Sequence, residues 1–353
     1  MRPRIAICGL NHGYEFVRSA HELRDAVDLV GLCAKNPDRH REQIERFGIP
    51  VFDRLESMLT DLSPDGVVIA VPTYKLAPMA KICLERNVSI LLEKPGGVTT
   101  LELLELKRLA SQSNARVMVG YHRRLARQVV ALEKLLASGA IGTVKALSCR
   151  WVINKPHDYF RGWKASRALG GGCLMINVIH EFDLMQYILG PIDAVMAMGD
   201  GEPSADDVEH RAAVSLKFRG GAIGTLILSD QSPSPYSYDN TVCAESRFPL
   251  YEADYLCFFG SSGSLAFPSF TQHSNDVGGS WCDRLSKFES SDANGTSDDP
   301  IAREIQLFIG AMSGTSRAHA SLDDAIRCLA VVEAIRRSLK SGAMEFVHSL
   351  GGS

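Results

Sequence analysis

The chain has 353 residues, 45% of them hydrophobic, with a formal net charge of −3. At about 150 residues per domain, that is about two domains with enough apolar material for sizeable cores. The near-neutral charge excludes a globally basic binder of nucleic acid or anionic membrane. No apolar run approaches the ~20 residues of a membrane span, and no signal peptide precedes the first predicted strand.

The first third alternates strand and helix. Ile5 to Cys8 is a short apolar strand, followed by Gly9-Leu10-Asn11-His12-Gly13 and a helix with Phe16, Ala20 and Leu23 on one face. Val27 to Cys33 is the second strand, and Asn36-Pro37 opens a helix that Gly48 closes. Asp53-x-x-Glu56 begins another helix, Val67 to Val71 is a strand ending at Pro72-Thr73, and Pro78 starts the next helix. Val88 to Leu92 is an apolar strand that stops at Glu93-Lys94-Pro95-Gly96-Gly97. Thr99-x-x-Glu102 reads as a capping box, and Val117 to Val119 as a strand. This order predicts an α/β Rossmann domain, a doubly wound parallel sheet, over residues 1–122.

After Tyr121 the pattern changes. His122-Arg123-Arg124 leads into a helix stopped by Gly139, and long strands follow at Thr143 to Val152, Arg211 to Phe218, Ala222 to Leu228 and Tyr255 to Gly260. Ser286 to Asp299 is rich in Ser, Asp, Asn and Gly and reads as a surface loop. Two helices, starting at Pro300 and capped by Ser321, finish the chain. Residues 123–353 are therefore expected to form an α+β domain with a large open, mostly antiparallel sheet, for substrate binding and oligomerisation. One face of such a sheet can pair with another subunit, so a homo-oligomer, dimer or tetramer, is expected. The nine cysteines include no Cys-x-x-Cys pair. Cys8, Cys33, Cys83 and Cys257 sit in apolar runs, which points to reduced thiols in a cytoplasmic protein and to no metal site.

Three stretches carry chemistry. The glycine turn after the first strand lets backbone approach a pyrophosphate at a helix N-terminus, although a plain tight turn would use the same residues. Its match to G-x-G-x-x-G is imperfect, with Asn11 and Tyr14 at the second and third glycine positions and Gly13 one place early. Ala34-Lys35 follows the second strand where an acid would bind a ribose hydroxyl, so Lys35 either faces a 2′-phosphate or is a solvated turn lysine. The candidate cofactor pocket thus comprises Gly9, Asn11, His12, Gly13, Ala34, Lys35, Val71, Pro72, Thr73, Glu93, Lys94 and Pro95, with NADP preferred and NAD possible. Lys94 itself, at the carboxyl end of a buried strand, can donate to a substrate oxygen.

In the third stretch, Gly170-Gly171-Gly172 precedes Cys173 to Asp183, where helical spacing puts Asn177, His180 and Glu181 on one face. The glycines let the loop pass close to another group. His180 is either a satisfied core histidine or a general base with a pKa near the ordinary ~6.5.

Together, Glu93-Lys94-Pro95, the glycine run ending in His180, the Gly139-x-x-Gly142 turn and the order of elements resemble the glucose–fructose oxidoreductase/inositol dehydrogenase/rhizopine-catabolism (Gfo/Idh/MocA) family over nearly the whole chain. Val119 to Arg124, Lys155-Pro156, Tyr159-Phe160, Trp163 and Ile176 to Asp183 look like one branch of it. The resemblance implies a nicotinamide cofactor between the two domains, with Lys94 and His180 facing the substrate. Ile176 stands where many relatives have aspartate, so Asn177 is a candidate for part of that role; Lys164 stands where arginine is expected.

The expected reaction is hydride transfer between the nicotinamide and a secondary alcohol or ketone of a sugar, polyol or related cyclic compound. Lys94, His180 and Asn177 would act in catalysis, and Tyr121, His122, Arg123, Lys155, Tyr159 and Trp163 would contact the small-molecule substrate. A dihydrodiol dehydrogenase, a lyase or glycosidase using transient oxidation, and a non-catalytic dinucleotide-binding regulator are the alternatives. Lys94 and His180 occurring together argues for an enzyme.

Overall fold

The computed structural model describes residues 2–199, 207–242, 248–275, 279–289 and 299–348. Its first sheet contains β1 (Arg4–Cys8), β2 (Asp28–Cys33), β3 (Val51–Phe52), β4 (Gly66–Ile69), β5 (Ser89–Glu93) and β6 (Val117–Gly120), in the order β3-β2-β1-β4-β5-β6. Every pairing is parallel. β4 and β5 are buried at every residue, because α1 (Gly13–Glu22), α2 (Arg41–Ile44), α3 (Leu55–Leu62), α4 (Thr73–Leu84) and α5 (Thr100–Ser111) lie between the strands in sequence and cover the sheet. The strand order reverses between β1 and β4, the switch point at which open α/β sheets hold ligands.

Several boundaries differ from those predicted. α4 starts at Thr73, and Pro78 lies inside it instead of opening it. The segment between Asn36 and Gly48 is a 3₁₀ turn (Pro37–His40), α2, and a second 3₁₀ turn (Glu45–Phe47). The Thr99 hydroxyl accepts from the Glu102 N–H at 3.3 Å, but the Glu102 carboxylate takes the Val98 N–H at 2.7 Å, so only half of the capping box forms.

After α6 (Arg127–Ala137) comes a nine-stranded sheet in the order β14-β13-β12-β11-β7-β10-β9-β8-β15. Its strands are β7 (Val144–Val152), β8 (Ile192–Gly199), β9 (Arg211–Phe218), β10 (Ile223–Ser229), β11 (Leu256–Gly260), β12 (Gly263–Phe267), β13 (Thr271–Ser274), β14 (Ser286–Glu289) and β15 (Glu345–Phe346). Only the β7–β10 pairing is parallel. The period-two pattern of β9 is realised residue by residue, with Ala212, Val214, Leu216 and Phe218 buried. β14 falls within the stretch expected to be a loop: it is paired through backbone to β13, a bond that asks little of side-chain type. The remainder of that stretch, 290–298, lies outside the described residues.

The second half returns to the first. In α9 (Pro300–Ser313), Ile301, Ile305 and Phe308 join Ile5, Ile7 and Phe16 in one apolar cluster. A Cβ on Gly66 would stand 2.8 Å from the Phe308 ring. α10 (Leu322–Ser341), held by a Ser321–Asp324 capping box, touches both α5 and β8. Residues beyond 123 thus complete the core of the first sheet.

Candidate active site

The turn after β1 is shaped by one close approach. Gly9 has φ +96°, and a Cβ there would lie 2.2 Å from the Ala70 carbonyl oxygen at the end of β4. Glycine is required on both counts. α1 begins at Gly13 after His12, with no side chain capping its first N–H groups, and Asn11 and His12 are exposed at its start. A helix N-terminus without a side-chain cap, at the sheet's switch point, fits a dinucleotide pyrophosphate. Lys35 is exposed just past β2 beside the half-buried Ala34, and Val71, Pro72 and Thr73 line the passage from β4 into α4.

β5 delivers Glu93 and Lys94 to the same edge, and the Lys94–Pro95 peptide is cis. Gly120 of β6 makes room for Glu93: a Cβ there would meet the Glu93 carboxylate at 2.8 Å. His12 Nε2 reaches to 3.7 Å of Glu93 Oε1, ion-pair range but too long for a hydrogen bond. Burial pushes the Glu93 carboxyl up, but His12, Lys94 and His122 together hold it below its ordinary value. Glu93, His122 and Glu304 each bring a potential ligand atom within 4.8 Å of the others, the one such cluster among the described residues. Burial, with the charges of Glu93 and Asp183, pushes the Glu304 carboxyl well above its ordinary value, opposite to Glu93.

Lys94 Nζ donates to the carbonyl oxygen of Ile176 at 2.9 Å. That position lies in a π-helical turn, Leu174–Val178, that runs into α7 (Ile179–Leu189). Where aspartate was expected from the resemblance, the chain offers its backbone to the lysine instead. Insertions of this kind re-aim side chains at functional sites. Here Asn177 has a buried Oδ1, and His180 a buried Nδ1, with no hydrogen-bond partner. Glu181 does not share their environment, because it pairs with Arg123. Burial, then the charges of Lys94 and Arg123, lower His180 well below its ordinary pKa. The imidazole is therefore neutral at pH 7, with a lone pair free to accept a proton. Burial likewise lowers Lys94.

The segment after β6 serves differently from the expectation. Arg123 is buried and pairs with Glu181 at 2.7 Å and Asp239 at 3.1 Å, over the Tyr238 ring at 4.1 Å. Arg124 pairs with Asp183 and, at 3.2 Å, with Asp324. The Arg123 guanidinium is thus engaged by internal partners, Glu181 and Asp239. Tyr121 is fully buried and packs edge-on against His180 at 6.3 Å between centroids. His122 sits closer, 5.3 Å from the His180 ring.

The glycine run passes close to other parts of the chain. A Cβ on Gly170 would lie 2.4 Å from Thr73 Cγ2, and one on Gly171 would lie 2.3 Å from the Lys164 carbonyl. That contact fixes the 3₁₀ turn Gly162–Ala165, which carries the half-buried Trp163 and Lys164. Lys155 and Lys164 both approach Tyr159, with Nζ 4.1 and 4.0 Å from the ring centroid. Lys164, Asp239 and Glu304 escaped selection from sequence. Only Lys164 had a local signal, its place between Tyr159 and the glycine run.

Arg123→Ala should strand the Glu181 carboxylate without its counter-charge, a loss of about 3–5 kcal/mol in denaturant unfolding. Adding Glu181→Gln should restore much of it. A single variant of unchanged stability but raised KM would return Arg123 to the substrate pocket.

Residues 3–121 match the oxidoreductase family with an NAD-binding Rossmann fold, and residues 129–266 match the GFO/IDH/MocA C-terminal domain. Rhizopine catabolism protein MocA of Rhizobium meliloti is 26% identical over 340 residues, 94% of each chain. Myo-inositol 2-dehydrogenase of Thermotoga maritima is 25% identical over 249 residues, 68% of this chain and 71% of that one. Among solved structures, levoglucosan dehydrogenase in complex with NADH superposes with a TM-score of 0.81 at 17% identity, over 99% of this chain and 100% of that chain. The WlbA dehydrogenase from Bordetella pertussis, in complex with NADH and UDP-GlcNAcA, gives 0.78 at 17% identity over 99% of each. With matches on both sheets, and the glycine turn, Lys94 and His180 at the edge between them, this chain belongs to the Gfo/Idh/MocA family of oxidoreductases that bind a nicotinamide dinucleotide on a Rossmann fold.

Proposed function

We propose that the protein is an NAD(P)-dependent dehydrogenase that interconverts a secondary alcohol and a ketone on a sugar, polyol or related cyclic compound. The observation that carries this reading is the pairing of a desolvated ammonium, Lys94 on Ile176, with an unpartnered imidazole nitrogen of His180 across the same carbonyl-bearing turn. The dinucleotide, when bound, supplies the hydride acceptor. His180 takes the hydroxyl proton at its free nitrogen. Lys94 donates to the same oxygen and stabilises the charge that grows on it. Asn177, with its own free Oδ1, orients the hydroxyl or a water beside it. Residues 1–122 hold the cofactor and 123–353 the substrate. The dehydrogenases among the relatives support this reading.

The described residues contain no helix long and apolar enough to cross a membrane. Seven of the eight described cysteines are buried or half-buried and all eight are free, which fits a reducing, cytoplasmic setting. The outer face of the second sheet supports self-association. Met198, Ala213 and Ile227 lie in register across β8, β9 and β10, with Met198 71% and Ile227 53% exposed beside Ile223 at 60%. This apolar stripe, interrupted by Ser215, Thr225 and Lys217, fits a second copy of the chain.

Lys94→Ala should cut kcat on the order of 10²–10³ and spare dinucleotide affinity, because the Gly9 turn is separate. His180→Ala should cost about 10²–10⁴. Because burial depresses His180, the wild-type oxidation rate should fall only as pH drops below ~6.5, not through a limb at pH 6–8. The His180 variant should lack that acid limb; a variant with near-normal kcat and an unchanged profile would remove His180 from the mechanism.

Lys35 past β2, with no acid beside it, supports NADP over NAD. In calorimetry, Lys35→Asp should weaken NADP by roughly 1.5–3 kcal/mol more than NAD. Tighter NAD binding by the wild type would refute the preference. Light scattering should give a multiple of the chain mass, and Ile227→Asp should lower it; a monomeric wild type would end the self-association proposal.

A further inference from the structure

Three ammonium groups of the substrate side have no carboxylate within ion-pair distance among the described residues: Lys94, Lys155 and Lys164. The acids near them are engaged elsewhere. Asp239 is bound to Arg123 at 3.1 Å, and Asp230 to His210 at 3.0 Å. Lys155 and Lys164 converge on one phenol, at 4.1 and 4.0 Å from the Tyr159 centroid. Neither is a free surface lysine. The Lys155 N–H donates to the Asp230 carbonyl at 2.8 Å, next to the Asn154–Gln231 bridge. The Lys164 carbonyl accepts from Gly172 N–H at 3.0 Å, in the loop that leads to His180. Both side chains are half-buried. Burial, with the like charges of Lys164 and Lys94, outweighs the opposing pull of Asp239 and Asp230 and brings Lys155 down to about 8. Partly desolvated cations that repel one another and have no carboxylate in direct ion-pair contact are costly in the free protein, and an incoming anion relieves that cost.

We propose that the substrate oxidised between Lys94 and His180 carries an anionic oxygen group, a carboxylate or a phosphate, that docks between Lys155 and Lys164 beside Tyr159. This rests on the dehydrogenase reading above and narrows it to sugar acids or sugar phosphates. The second lysine makes the subsite a fork: two ammonium donors on separate loops can each take one oxygen of the anion. Tyr159 sets their spacing through its ring face.

The test compares neutral and anionic partners of one skeleton: D-glucose with D-glucuronate and glucose 6-phosphate, and D-galactose with D-galacturonate. Turnover is followed with NADP and NAD, and binding to the cofactor-loaded protein by calorimetry. At least one anion should bind more tightly than its neutral partner by tenfold or more, with affinity falling as salt rises. Glucuronate against glucose 6-phosphate separates a carboxylate from a phosphate site. Lys155→Ala and Lys164→Ala should each reduce the anion-over-neutral ratio about 10- to 100-fold, and Lys155→Arg should recover part of it. Anions that bind no better than neutral partners, or a ratio that neither alanine variant alters, would overturn the proposal. Lysine-dependent anion binding without turnover of any compound would uphold the anion site and count against the dehydrogenase reading instead.

Discussion

Two buried guanidiniums hold the site together. Arg123 and Arg124 leave the end of β6 side by side and pair with Glu181 and Asp183, the residues one and three beyond His180 on α7. A buried ion pair gains little net stability over an apolar contact, but its geometry is strict, because a displaced charge would stand unpaired in a dry interior. The helix carrying His180 is thereby fixed to the edge of the sheet that carries Lys94. Asp239 and Asp324 extend the same network into α8 (Tyr238–Thr241) and α10.

Given that frame, the chemistry follows from burial. Lys94 and His180 lie close enough for the ammonium to depress the imidazole, and both lose hydration. The outcome suits proton transfer in one direction: a cation ready to donate, and a neutral base kept unprotonated at physiological pH. Glu93 balances Lys94 from the strand side, while burial and the charge of Glu93 push the neighbouring Glu304 carboxyl the other way, up from its ordinary value. The aspartate absent at position 176 costs the lysine no partner, because the π turn presents the Ile176 carbonyl to it.

The glycines act as clearances. Gly9 admits the Ala70 carbonyl, Gly120 admits the Glu93 carboxylate, and Gly170 and Gly171 admit Thr73 and the Lys164 carbonyl. Gly170 sets the loop against Thr73 at the start of α4, and Gly171 folds it back onto the turn that carries Trp163 and Lys164. The first three clearances join separate elements, which brings side chains from distant segments together, whereas the Gly171 contact stays within one loop.

By itself the sequence determined the two sheet classes, the Gly9 turn, the Lys94 strand end and the helix of His180. Each of these rests on local periodicity or on turn chemistry that a short window contains. The helix starting at Thr73 and the edge strand Ser286–Glu289 were hidden, since an internal proline and polar composition mask bonds made by backbone alone. Arg123 reads from sequence as a substrate contact, because a short window shows a charge and not its partner. Only the folded chain brought Glu181, 58 positions on, to 2.7 Å and consumed that charge. The same holds for the depressed histidine, the raised Glu304 carboxyl and the lysines at Tyr159: their states depend on burial and on neighbours from other elements, which tertiary packing alone decides.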